Sequence, residues 1–290
     1  MEKTKNPKVK FNSKKIGEFL LNYALYIILG LMIVLVAIIR IDFFSLQNFL
    51  NILTQASTRG ILALGVAGMI VLAGTDLSAG RILGCCAAVS ASLVQATSYA
   101  SRMYPQIVND LPLIIPLAAS IIIAVFFCVL NGFGVAKLNL HAFIVSLGTQ
   151  LIAFGCTCIY INSQTGGAQA ISTFNQKFLN FVNGGFQITE TFKIPYLICY
   201  FAIAAIVMWV VWNKTALGKN MFAIGGNKDA AAVSGVNITK NIMGVYIIAG
   251  VLYGIAAFLE AGRIQSVNTG TGLNYDLDAI SGCVIGGVSF

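Results

Sequence analysis

Charged residues are scarce in this chain: Asp, Glu, Lys and Arg make up 10% of its 290 positions, against roughly a quarter in soluble globular proteins. A soluble domain must cover its surface with polar groups, and 58% of these side chains are hydrophobic, which excludes a water-soluble globule. Disordered chains are rich in charge and poor in apolar residues, the reverse of this composition. Histidine is nearly absent, with His141 alone, and the seven cysteines (Cys85, Cys86, Cys128, Cys156, Cys158, Cys199, Cys283) form no CxxC pair. Metal and redox chemistry need clustered ligands at defined spacing; these cysteines lie in apolar stretches and read as small packing residues. The apolar–polar alternation of a membrane barrel is also missing, because the apolar runs are continuous. What the chain has is apolar length. With a mean hydropathy of +0.85, it reads as an all-α, polytopic helical membrane protein.

A span needs about 20 apolar residues, since about 30 Å of hydrocarbon is crossed at about 1.5 Å per residue. Candidate runs cover 19–39, 60–73, 77–100, 111–136, 143–161, 194–212 and 241–259, and an eighth begins near Ala279 and continues to Phe290. About eight spans are therefore expected. The last run is only a partial span without flanking charge, and a half-crossed helix leaves backbone groups unpaired in lipid, so the chain is expected to be incomplete at its C-terminus.

The net charge is +8, and its placement carries the topology. Lys3, Lys5, Lys8, Lys10, Lys14 and Lys15 precede the first apolar run. Ahead of a span, such a tail is a topology signal rather than a nucleic-acid-binding arm. The run that follows is too long for a cleaved signal peptide and lacks a small-residue cleavage site. Threading from a cytoplasmic N-terminus places the tail, 137–141 and 213–240 inside. Lys137, Lys214, Lys219, Lys228 and Lys240 are then internal, while Arg40, Arg102, Lys177 and Lys193 fall in external loops. Arg59, Arg81 and Arg263 sit in or at the edges of spans. The expected organisation is a basic cytoplasmic tail, 1–18, and a membrane domain, 19–290, carrying a cytoplasmic loop at 213–240.

Three segments stand out from the apolar background. GTDLSAGR, 74–81, separates two apolar runs too close together for an ordinary loop. Gly74 and Gly80 permit a broken helix whose freed backbone faces protein or a water-filled path, where Asp76 and Arg81 would be paired or hydrated. A tight turn at the cytoplasmic face, with Asp76 capping the next helix beside Ser78, fits the same residues. In the loop 213–240, Asn227 has the character of an N-cap, Asp229 of a first-turn acid and Gly235 of a C-cap. Ala230, Ala231, Ala232 and Val233 between them make a helix too short to be stable alone, suited to docking in a partner's groove. A solvated connector would explain the lysines but not Met221, Phe222 and Ile224 beside Gly225 and Gly226. The third segment, from Gly270 to the end, carries Asp276 and Asp278 where they can cap or pre-order the last span. Its IGGVSF also echoes LAGTDL at 72–77, the kind of internal repeat from which transporters are often built.

Catalytic motifs are missing. Gly218-Lys219 lacks the earlier glycine and the following Ser or Thr of a P-loop, and the Asn237-Ile238-Thr239 sequon falls on the cytoplasmic side. An ion or another subunit must then supply any energy for transport. An ion-coupled secondary transporter of a small polar solute is one reading; it needs an ionisable relay at the midplane, for which Asp76 is the sole candidate.

Four stretches bear on the other reading: LNILTQASTRGILALGVAGMIVLAGTDLSAGR, NGFGVAKLNLHAFIVSLGTQ, WNKTALGKNMFAIGGNKDAAAVSGVN and LEAGRIQSVNTGTGLNYDLDAISGCVIGGVSF. From about Phe44 to Phe290 the chain resembles the membrane permease subunits of sugar ABC importers, the ribose, xylose and galactose permease family. The words GTDLSAGR, WNKT and LEAGRI are most similar to the galactose/methyl-galactoside branch. His141-Ala142 departs from the family's usual proline before Phe-Ile, which implies a less rigid helix start. The resemblance implies about ten spans in the full architecture and a bacterial inner-membrane location. It also implies a second permease copy as homodimer partner, an extracytoplasmic sugar-binding protein, and a cytoplasmic ABC ATPase that binds ATP and Mg. This subunit itself would hold no cofactor and no metal and catalyse nothing. The loop 213–240 would couple to the ATPase through Gly225, Gly226, Asn227, Ala230, Ala231, Ser234 and Gly235. Asp76, Ser78, Asn131 and Thr149 are assigned to the translocation path or its gate.

Overall fold

The computed structural model describes residues 23–164, 167–189 and 192–288. The basic tail lies outside them, as do the first residues of the run expected at 19–39. The chain divides into two compact units, 1–52 and 53–290. In the first, α1 (Ala24–Ile39) carries no charged residue and is apolar all round, with Leu29, Met32, Leu35 and Ile38 exposed, the pattern of a helix surrounded by hydrocarbon or protein. A single 3-10 turn at Ile41–Phe44 leads to α2 (Leu46–Val71), whose first turn is capped by Ser45 Oγ, an acceptor for the Asn48 amide at 3.2 Å.

The second unit takes in the rest of α2 and α3 (Ala79–Leu93), α4 (Ile114–Ala136), α5 (Ala142–Asn162), α6 (Gln176–Asn183), α7 (Tyr196–Lys214), α8 (Ala216–Gly226), α9 (Lys228–Val233), α10 (Ile238–Ile264) and α11 (Tyr275–Ile285). Among the described residues α4, α5, α7 and α10 are long and apolar enough to cross a membrane. The chain is a polytopic helical membrane protein, and several bounds move from expectation. Helix α2 begins at Leu46 rather than near Gly60 and has 26 residues; the amides, hydroxyls and Arg59 of its N-terminal half hide it from a hydropathy count. Helix α3, with 15 residues, and α11, with 11, rise only about 22 and 16 Å. Both fall short of the bilayer core, as short or broken helices do. The segment 162–193, expected as an external loop, holds α6, the strand β1 (Ile171–Ser172) and a hairpin of β2 (Gly185–Thr189) and β3 (Phe192–Pro195); β4 (Ser266–Val267), beyond α10, pairs antiparallel with β1.

Helix α10 is the axis of the unit and packs on α3, α4, α6 and α8. Gly250 and Gly254, four residues apart, bring α4 to backbone contact. A Cβ on Gly250 would stand 2.7 Å from Val125 Cα, and one on Gly254 2.5 Å from Ile121 Cα. Ser120 Oγ, on α4, donates to the Gly254 carbonyl at 2.7 Å. Small residues at this spacing are how helices associate where burial from water supplies little drive. Tyr253, Phe258, Ile61, Leu62, Ile82 and Leu83 fill the core. Amphipathic α6 closes one end, its Phe178 ring 4.9 Å from that of Phe258. The opposite end gathers the α4–α5 turn, α8 and α9, where Lys228 Nζ donates to Asn139 Oδ1 at 3.2 Å.

Candidate functional site: a buried break and an exposed helix pair

Helix α2 stops at Val71 through a left-handed Ala73 (φ 57°) and a bond from the Gly74 amide back to the Met69 carbonyl at 3.0 Å. The chain then runs irregularly to α3, and Asp76 in this stretch is 1% exposed. Its Oδ1 accepts from the Ser78 amide at 2.8 Å and from Ser78 Oγ at 2.5 Å, and its Oδ2 from the Tyr253 hydroxyl at 3.0 Å. Asn131 Nδ2 on α4 donates to Ser78 Oγ at 2.9 Å, and Thr149 Oγ1 on α5 donates to Asn131 Oδ1 at 2.5 Å.

Asp76, Ser78, Asn131 and Thr149 are thus brought together in one hydrogen-bonded chain, with Tyr253 of α10 as a further member. Tyr253 stands about 17 Å along α10 from its end at Ile264. A buried carboxylate is tolerated only when its lone pairs are satisfied, and three donors do that here. Asp76 and Ser78 are enclosed by protein, while Ala73 is exposed and Gly74 and Thr75 are half-buried, and Asp76 takes the Ser78 amide ahead of α3 as a cap would. Arg81 does not pair with Asp76. It donates to the Thr269 carbonyl at 3.1 Å and lies 4.3 Å over the Phe154 ring.

The start of α3 is gripped from the other side by 268–276. A Cβ on Gly80 or Gly84 would run into the carbonyl oxygens of Gly272 and Thr271, so the two backbones touch. Asp276 and Asp278 occupy the first turn of α11, where carboxylates oppose the helix dipole.

A second buried acid, Glu260 on α10, is 0% exposed. Oε1 accepts from Arg263 Nη2 and from the Tyr275 hydroxyl, and Oε2 from Arg263 Nε and Thr58 Oγ1, all at 2.7 Å. This cluster ties α2, α10 and α11 together. The sequence reading passed over Glu260, although a Glu–Arg pair three residues apart inside an apolar run is a visible signal.

At the opposite end, Thr215 Oγ1 accepts from the Gly218 amide at 3.3 Å to cap α8, and Asn227 Oδ1 accepts from the Ala230 amide at 2.9 Å to cap α9. Ala231 is buried, whereas Ala230, Ala232, Ser234 and Gly235 are exposed and Val233 is 91% exposed. Gly235 (φ +84°) closes α9, with bonds from its own amide to Ala232 and from the Val236 amide to Ala231, both at 3.0 Å. A Cβ on Gly225 would strike the carbonyl of Val71, the last residue of α2 before the break. Among the described residues nothing lies within 4 Å of where a Gly226 Cβ would be, and both glycines edge an open cavity of about 460 Å³ with Ala67, Val71, Trp212 and Phe222. All seven residues of the expected coupling element therefore sit in one capped helix pair, backed onto the end of α2. Among the described residues no three His, Cys, Asp or Glu side chains converge as a metal site.

Comparison with known proteins agrees with a transport role. The galactose/methyl galactoside import permease of Haemophilus influenzae is 42% identical over 273 residues, covering 94% of this chain and 80% of the relative. That of Escherichia coli is 42% identical over 279 residues, covering 96% and 82%. The ribose import permease of Haemophilus influenzae is 32% identical over 278 residues, covering 95% and 79%. No solved structure matches the chain. Residues 48–290 match the model of the family described as branched-chain amino acid transport system / permease component, and it is to this family of membrane transport permeases that the chain belongs.

Proposed function

We propose that this chain is the membrane subunit of an ABC importer for a monosaccharide or small glycoside. Galactose or methyl galactoside is the first substrate to test, with ribose or xylose next, because identity to the galactoside permeases exceeds identity to the ribose permease over nearly the same length. ATP and Mg belong on a separate cytoplasmic ATPase, the sugar arrives on an extracytoplasmic binding protein, and a second copy of the chain completes the path. This subunit catalyses nothing and carries no cofactor. The N-terminus lies inside in a bacterial inner membrane; the clustering of Lys137, Lys214, Lys219, Lys228 and Lys240 in the segments around α8 and α9 supports that direction.

The observation that carries the reading is the seat of α8 against the end of α2. A capped helix pair presents Ala230, Ala232 and Val233 outward and bears on Val71 through Gly225. Only 72–75 separates that contact from Asp76, the first member of the Asp76–Ser78–Asn131–Thr149 chain. ATPase closure pushing on the pair would be delivered to the buried break, whose hydrogen bonds hold α3, α4, α5 and α10 in one arrangement and would exchange partners in another. On this reading those four residues are the gate's latch. ATP-dependent galactose uptake into vesicles holding the chain, its ATPase and binding protein tests it: uptake that needs ATP and survives collapse of ion gradients supports it, and uptake driven by a sodium or proton gradient without ATP overturns it.

A further inference from the structure

Of the four described helices long and apolar enough to cross a membrane, α7 is the least buried. It packs on α6 and β3 at one end and on α8 at the other. Along its middle, a groove of about 470 Å³ parts it from α4 and α10. Ala204, Met208 and Val211 form the α7 wall, Ile248 and Ile255 the α10 wall, and Leu117 belongs to α4. From Tyr200 to Val211 the α7 wall runs about 16 Å. Every lining side chain is apolar except that of Tyr200, whose hydroxyl donates to the Phe181 carbonyl at 2.9 Å. Bound water needs about two to four polar partners, and the hydroxyl groups of a sugar need partners too, so the groove suits neither. Ile203 and Val207 on its rim are more than half exposed. The groove therefore opens beside α7, on the flank that a membrane-crossing helix turns to acyl chains.

The charges on the lining helices select the headgroup. Helix α4 carries none, while α6, α7 and α10 carry Lys177, Lys214, Lys240, Glu260 and Arg263. Glu260 and Arg263 offset each other as a pair at 2.7 Å, which leaves three exposed lysines and no acid. An anionic headgroup complements that balance. Lys214 stands in register with the groove: it follows Ile203 by eleven residues and Val207 by seven, on the same edge of α7. It lies in the last turn of the helix, where a helix of this length reaches the headgroup layer. Its ammonium is 5.5 Å over the Trp209 ring, and among the described residues no carboxylate pairs with it.

We propose that this groove binds one acyl chain of an anionic phospholipid from the surrounding bilayer, with the headgroup phosphate on Lys214. The site depends on α4, α7 and α10 crossing the bilayer and not on what the protein carries. The test reconstitutes the full chain in phosphatidylcholine vesicles doped with phosphatidylglycerol that bears a photoreactive group in mid-chain, and maps adducts by peptide mass spectrometry. Adducts are expected on Met208 and Ile255, and unlabelled phosphatidylglycerol should displace them about tenfold more effectively than phosphatidylcholine. Lys214→Gln is expected to erase that preference, and an unchanged preference overturns the headgroup placement. Ala204→Trp, which fills the groove, should remove these adducts while those on Ile206, on the outward face of α7, remain. Adducts spread evenly over both faces and displaced equally by both lipids mean ordinary boundary lipid and overturn the site. A groove without adducts overturns it too, and assigns the space to a protein segment or a second copy of the chain. Should Ala204→Trp fail to elute as a folded protein, the lipid competition in the parent chain decides alone.

Discussion

Tyr253 donates its hydroxyl to the buried Asp76, and removing a partner from a buried polar group costs more than removing one at the surface. Tyr253→Phe leaves Asp76 buried with two donors in place of three and is expected to cost about 1.5–3 kcal/mol, read as a lowered melting midpoint of the purified protein. An unchanged midpoint would mean that the Asp76 carboxyl does not depend on this bond. Asn131→Ala is expected to be at least as damaging, since it strips a donor from Ser78 and an acceptor from Thr149 at once. Asp76, Ser78, Asn131 and Thr149 were legible singly, as polar residues in apolar surroundings. That they form one chain was not, because partners 53 and 18 residues apart meet only through tertiary packing. Tyr253 carried no signal, being one aromatic among many in an apolar run.

Between elements, two adjacent glycines are expected to behave differently. Gly225→Val drives a branched side chain into the Val71 carbonyl and should destabilise the fold by about 1–3 kcal/mol, as overpacking does. Gly226→Val points into open space, so the protein should fold normally while sugar uptake is lost, as fluorescence-detected gel filtration and a transport assay on the same membranes would show. Wild-type uptake from Gly226→Val would remove the coupling role from this helix pair. The α4–α10 contact predicts a harsher outcome: Gly250→Val and Gly254→Val should each reduce recovery of folded protein, because backbone atoms of α4 occupy the space. The caps Asn227 and Gly235 of α9 could be read from sequence because capping is local. The start of α2 could not, since Gln47, Asn48, Asn51, Gln55 and Arg59 lower its hydropathy to that of a loop. The Gly250–Gly254 spacing was readable and was missed.

On the largest scale, the two ends of the second unit differ in kind. One carries α6 and the β1–β4 pair, the other a basic, capped helix pair whose Gly225 abuts the end of α2 where the break begins. Membrane class and helical architecture followed from composition, and the family from short motifs. The depth of the 72–78 break and the joining of α2, α10 and α11 through Glu260 depended on how the helices pack. The central claim is that this pair receives work from an ATPase and passes it to the break. Co-purification from detergent with the ATPase encoded beside the gene, comparing the chain with its Gly226→Val variant, tests that claim most directly. The account predicts stable recovery of the ATPase with the parent chain and weakened recovery with the variant. Equal recovery with both, or none from a monodisperse parent chain, would contradict it.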